Sequence, residues 1–135
     1  MSAPTRNQNA NRLVVLATGG TGGHLFPAAA LAEALAQRGV ALALFTDRRK
    51  VALPDALSAI HTEHLPGTSM AGKSFGGRLL AMTELARGTW QAGRLLRRMR
   101  PATVVGFGGY ASVPTVLAAQ RAGIPTVLHE QNAVL

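Results

Sequence analysis

Three short strings hold the residues whose types and spacing can do chemistry. The first is Thr18-Gly19-Gly20-Thr21-Gly22-Gly23-His24, which follows an apolar run and precedes a helical pattern. Four glycines let a backbone come close to a ligand, and the free N–H groups and positive dipole end of a helix start favour a phosphate. A tight strand-to-helix turn would need the same glycines for geometry alone. The second string, Gly106-Phe107-Gly108-Gly109-Tyr110, also leaves an apolar run and opens a helical pattern. Two such loops at the carboxyl ends of parallel strands converge on one crevice, and a diphosphate suits two rows of backbone N–H donors. The third string, His129-Glu130-Gln131-Asn132, ends another apolar run and offers partners for sugar hydroxyls or an amide; it could equally be a polar turn.

Other strings support competing chemistry. Gly67-Thr68-Ser69-Met70-Ala71-Gly72-Lys73-Ser74 fits the Walker A pattern, although Pro66 interrupts the end of a weak strand and no convincing acidic partner for magnesium follows. The stretch Gly106 to Ala111 has G-x-G-x-x-A spacing, with Glu130 after the next strand and Asp47 after the strand that follows the first loop. That pattern supports an NAD(P)-binding domain of an oxidoreductase as the alternative. His61, His64 and His129 lack metal-ligand spacing, so no metal site and no cofactor are expected.

The elements that must hold these loops follow from periodicity. Leu13 to Ala17, Val40 to Phe45, Thr103 to Val105 and Pro125 to Leu128 are uninterrupted apolar runs, which mark strands covered on both faces; Ala59 to Leu65 is a weaker fifth. Helical patterns fill the gaps. Phe26 to Arg38 stops at Gly39, Arg78 to Arg100 stops at Pro101, and Ser112 to Ala122 stops at Gly123. Pro27 is placed in the first turn of its helix, where the missing N–H costs little. Strand alternating with helix predicts an α/β fold with a Rossmann-like, doubly wound parallel sheet.

Composition sets the outer limits. The 135 residues fit one domain, 12–135, behind a polar tail at 1–11. The absence of Cys excludes disulfides and thiolate chemistry, and the Leu13 to Ala17 run is too short for a signal-peptide core or a membrane span, which points to the cytoplasm. A net charge of +8 calls for an anionic partner, and the few aromatics (4%) argue against nucleic acid. Six arginines fall between Arg78 and Arg100. There Leu79, Met82, Ala86, Trp90 and Gly93 share one stripe and Arg87, Arg94 and Arg98 another, either as a core-facing helix with a solvated basic face or as a membrane-docking helix.

The strings GGTGGHLFPAAALAEAL (19–35), GFGGYASVPTVLAA (106–119) and GIPTVLHEQNAV (123–134), in this order and spacing, resemble the N-terminal domain of the MurG family, the undecaprenyl-diphospho-muramoylpentapeptide β-N-acetylglucosaminyltransferases. The resemblance implies one half of a GT-B fold. This half would hold the lipid-linked diphosphate acceptor, lipid I, at the anionic cytoplasmic face of the inner membrane. The C-terminal half, missing here, would hold UDP-N-acetylglucosamine, so this chain alone should be inactive. It also implies His24 as the base that activates the acceptor hydroxyl for inverting transfer. At a helix start, the positive dipole end disfavours the charged ring. Glu130 is the rival base. Gly20, Thr21, Gly22, Gly108, Gly109 and Tyr110 would cradle the acceptor diphosphate, Thr18 and Gly23 would also bind the substrate, Asn132 would lie near the reacting sugar, and Lys73 would contact phosphate or a lipid headgroup. Ser69-Met70-Ala71 departs from the Gly-Leu-Arg usual in the family before Gly-Lys.

Overall fold

The computed structural model describes residues 12–19, 22–47, 52–66 and 74–129. Five parallel strands lie in the order β3-β2-β1-β4-β5: β1 (Leu13–Ala17), β2 (Ala41–Thr46), β3 (His61–His64), β4 (Thr103–Gly106) and β5 (Thr126–Leu128). The doubly wound α/β expectation holds. The chain moves outward from β1 to β2 and β3, then crosses to β4 on the other side of β1. The order therefore reverses between β1 and β4, where Ala17 is paired with Gly106. This switch point opens a crevice at the carboxyl ends of the strands.

Among the described residues, four helices cover the two faces. Helix α1 (Gly22–Gln37) and the short α2 (Asp55–Ser58) pack on one face through a cluster that includes Leu16, Leu25, Leu44, Leu57 and Phe107. Helices α3 (Phe75–Met99) and α4 (Val113–Arg121) cover the other, with Phe45, Leu65, Leu96, Val104 and Ala118 between sheet and helices. Full burial of side chains such as Leu16, Leu44 and Phe45 contributes roughly 1.5–3 kcal/mol each. The expected helix stops are present as left-handed caps, with Gly39 at φ +75° and Gly123 at φ +73°. Arg100, at φ +50°, closes α3 ahead of Pro101.

Two helices begin earlier than periodicity suggests. Helix α1 starts at Gly22, so Pro27 lies in the second turn, not the first, and supplies no N–H to the carbonyl of Gly23. The glycines of this start lower helix propensity by about 1 kcal/mol each. What offsets them is tertiary: Leu25 is buried in the core and His24 bonds across to the second loop. Helix α3 starts at Phe75 because Ser74 caps it, its hydroxyl accepting from the Gly77 N–H at 3.2 Å. The short α2 has no counterpart in the sequence reading.

The face that α3 turns inward also differs from a simple reading of its stripe. Ala81, Gly88, Ala92 and Leu96 are buried, whereas Leu79, Met82 and Trp90 are 52%, 55% and 62% exposed. Gly88 is the point of closest approach: a Cβ there would collide with the backbone carbonyl of Pro66 and stand 3.3 Å from Pro114 Cβ.

Candidate functional site

The carboxyl ends of the strands are stitched together one residue beyond the ladder. Thr18 N donates to Phe45 O at 3.1 Å, Phe107 N to Ala17 O at 2.9 Å, Leu65 N to Thr46 O at 2.8 Å and His129 N to Gly106 O at 2.8 Å. The loops after β1, β4 and β5 thus start from fixed points around the switch crevice. Neither α1 nor α4 has an acidic residue in its first turn, so no carboxylate of its own opposes the positive end of its dipole.

His24 joins the two glycine loops. It sits in the first turn of α1, half buried, with Nδ1 2.8 Å from the backbone oxygen of Phe107, 83 residues away in the chain. Its ring lies against the Gly108-Gly109 backbone, where both glycines have positive φ, +89° and +80°. A Cβ on Gly108 would stand 3.3 Å from Cε1 and 3.4 Å from Nδ1; one on Gly109 would stand 3.4 Å from both Cδ2 and Nε2. Spacing in the sequence carries no sign of this contact, because it depends on β1 and β4 being neighbours.

Other expected residues are placed around it. Thr18 is fully buried and its hydroxyl donates to Gly19 O at 3.2 Å, so the side chain shapes the loop from within. Gly23 is exposed at the start of α1, and Gly22 begins that helix. Tyr110 opens a 3-10 turn, Tyr110–Ser112, whose Ser112 hydroxyl donates to Gly109 O at 2.9 Å and holds the second loop. Gly20, Thr21, Lys73, Glu130 and Asn132 lie outside the described residues. So does most of the Walker-like string; its Ser74 hydroxyl is engaged as the cap of α3.

His129 follows β5 as the first of the polar groups expected at its end. Its exposed ring stands 5.7 Å from the Phe107 ring at an interplanar angle of 40°. A cavity of about 290 Å³ adjoins the second loop, lined by Gly106, Gly108, Ser112, Val116, Leu128 and His129 among others. Asp47 is buried at the end of β2. Among the described residues, no group of His, Asp or Glu could hold a metal ion.

A second feature lies on the outer face, between α3 and α4. A groove of about 380 Å³ is lined by Met82, Trp90, Leu117, Arg94, Arg97 and Arg121 among others. The Arg94 guanidinium sits 5.0 Å from the centre of the Trp90 ring, a cation–π contact. Arg87 instead pairs with Glu84 at 3.1 Å. The cations beside the apolar stripe are therefore Arg94 and Arg97, joined by Arg121 from α4. The groove includes neither Arg87 nor Arg98 of the basic stripe expected along α3 alone. No helix among the described residues is long and apolar enough to cross a membrane.

Comparison with known proteins agrees with this architecture. Residues 14–135 match the glycosyltransferase family 28 N-terminal domain. The UDP-N-acetylglucosamine–N-acetylmuramyl-(pentapeptide) pyrophosphoryl-undecaprenol N-acetylglucosamine transferase of Rhodospirillum rubrum is 55% identical over 126 residues, covering 93% of this chain and 33% of that protein. The protein of the same name from Paramagnetospirillum magneticum is 52% identical over 123 residues, with 91% and 33% covered. The crystal structure of Acinetobacter baumannii MurG superposes with a TM-score of 0.70 at 31% identity, over 90% of this chain and 36% of that one. The chain thus spans about a third of the length of the curated relatives it matches. These comparisons give no support to the dinucleotide-binding oxidoreductase alternative.

Proposed function

The chain belongs to glycosyltransferase family 28, and on that premise we propose that it is the acceptor-binding half of an inverting N-acetylglucosaminyltransferase of peptidoglycan synthesis. The acceptor is undecaprenyl-diphospho-N-acetylmuramoyl-pentapeptide, and the donor, UDP-N-acetylglucosamine, is held by a second domain outside this chain. The observation that carries the reading is the junction of two glycine loops through His24 at the switch crevice. Backbone N–H groups of the two loops and the unopposed helix dipoles cradle the acceptor diphosphate without a metal. The imidazole takes the proton of the acceptor hydroxyl as the oxygen attacks the anomeric carbon and UDP leaves, which inverts that centre. Glu130 remains the rival for this step, with Asn132 and Lys73 as further contacts to the acceptor.

The groove between α3 and α4 fits a peripheral contact with an anionic membrane. Exposed Leu79, Met82 and Trp90 offer an apolar stripe to the interface, and Arg94, Arg97 and Arg121 offer charge to its phosphates. Such a contact supports a peripheral position on the cytoplasmic face of the inner membrane, within reach of a lipid-linked acceptor.

The testing experiment is equilibrium binding of a soluble lipid-diphosphate analogue to the chain, with NADPH as the competing ligand. Saturable binding of the analogue that NADPH does not displace is the expected result. Saturable NADPH binding without analogue binding would overturn the reading.

A further inference from the structure

We infer that Gly108 and Gly109, with the carbonyl of Phe107, form a seat that fixes the tautomer and direction of the His24 ring, making the second glycine loop a positioning element for the base as well as a ligand cradle. The inference rests on the proposed role of His24 and assigns a task to residues 107–109 that phosphate binding does not require.

A backbone carbonyl can only accept, so the 2.8 Å contact makes Nδ1 the protonated nitrogen of the neutral ring, and Nε2 keeps its lone pair. An unrestrained imidazole populates both tautomers; this one is held in the form whose outer nitrogen can take a proton. Phe107 is itself fixed, since its N–H donates to Ala17 O at 2.9 Å and its side chain is 3% exposed. The acceptor that selects the tautomer is therefore anchored to the central strand.

The glycines complete the seat. Both have positive φ, and the ring lies where their side chains would point. A methyl on residue 108 would stand 3.3 Å from Cε1, tight enough to displace the ring by a few tenths of an ångström, and one on residue 109 would stand 3.4 Å from Nε2 and Cδ2, where it shields the edge that must meet the acceptor. Gly39 and Gly123 also have positive φ, but a Cβ on either meets nothing within 4 Å. They separate the cost of a left-handed backbone from the cost of losing the seat.

The test begins with the unmodified chain. Long-range ¹H–¹⁵N correlation spectra at about pH 8.5, where an ordinary imidazole is neutral, identify the protonated nitrogen of each histidine, with His24 assigned from a His24→Gln variant. An Nδ1–H pattern for His24 is expected, and an Nε2–H pattern overturns the seat. In a two-domain protein that carries this chain as its N-terminal part, Gly109→Ala should lower kcat about tenfold or more with acceptor KM nearly unchanged, because a methyl against Nε2 keeps the reacting hydroxyl from its close approach to that nitrogen. Gly123→Ala, with the same backbone strain, should leave kcat within about twofold. A rise in KM with kcat intact for Gly109→Ala would overturn the positioning role. An Nδ1–H ring in a protein whose His24→Gln variant keeps its kcat would uphold the seat and overturn the base reading instead. Should Gly109→Ala fail to fold, the tautomer of the unmodified chain still decides.

Discussion

Replacing Gly88 and Gly93 by alanine, one at a time, should move stability in opposite directions although both glycines lie in α3. On propensity alone each change stabilises a helix interior by about 1 kcal/mol. At Gly93 the new methyl would stand 3.9 Å from Ala118 Cβ, an ordinary contact, so that gain should survive. At Gly88 the methyl would overlap the carbonyl oxygen of Pro66 and approach Pro114 Cβ to 3.3 Å. Backbone cannot swing aside as a long side chain can, so α3 must withdraw from the start of α4 and from the end of β3. Overpacking of this kind costs about 1–3 kcal/mol, and a clash with backbone belongs at the upper end. After the propensity gain, the net loss is about 2 kcal/mol. With an unfolding entropy of about 2.1 cal/mol/K per residue, a chain of this length loses about 3–4 °C in Tm per kcal/mol, so Gly88→Ala should melt about 7 °C lower and Gly93→Ala about 2–4 °C higher. Thermal and urea unfolding followed by circular dichroism would measure both. A Gly88→Ala protein as stable as the unmodified chain would refute the packing of α3 against Pro66.

Four further outcomes are expected. Thr115→Val should raise Tm by about 3–4 °C in the same assay, because the buried Thr115 hydroxyl has no hydrogen-bond partner among the described residues and its removal spares a desolvation cost of about 1 kcal/mol. In a two-domain protein carrying this chain, His24→Ala should lower kcat by about 10² or more with a modest change in acceptor KM; a loss confined to KM would make His24 a binding residue. The chain alone, mixed with UDP-N-acetylglucosamine and a lipid acceptor, should be folded yet give no transfer in a product assay; appreciable turnover would put the donor site within these residues. Co-sedimentation with liposomes should require anionic lipid and fall as salt rises, since each engaged cation contributes about 1 kcal/mol and exposed charges are screened over about 8 Å. The triple change Arg94→Glu, Arg97→Glu and Arg121→Glu should abolish that binding, and Arg87→Glu with Arg98→Glu should weaken it less; the reverse ranking would move the contact to the other basic stripe.

Much of the frame was legible in the sequence because it is decided locally. Uninterrupted apolar runs mark strands of a covered parallel sheet, and four of the five lie within a residue or so of where they were expected; β5 departs from the covered pattern, because at the sheet edge its Val127 and Leu128 are exposed. Gly39 and Gly123 ended their helices because a left-handed cap suits glycine best, and the two glycine loops fell at strand ends for similar backbone reasons. The order and spacing of three strings carried the family, which residues 14–135 then matched. The tertiary structure alone decided which faces and groups meet. The apolar stripe of α3 could have turned inward by periodicity, but Gly88 allows close approach to Pro66 and Pro114 and Ala92 is buried on the same face, so Trp90 was left outside. Arg121 joined Arg94 and Arg97 only because α4 packs beside α3. Helix α1 begins at Gly22, against local propensity, because long-range contacts of Leu25 and His24 outweigh the cost of its glycines. The sequence offered His24 and Gly108-Gly109 as separate candidates; the pairing of β1 with β4 brought the imidazole onto the glycine backbone, and a contact spanning 83 residues leaves no periodic trace in the chain.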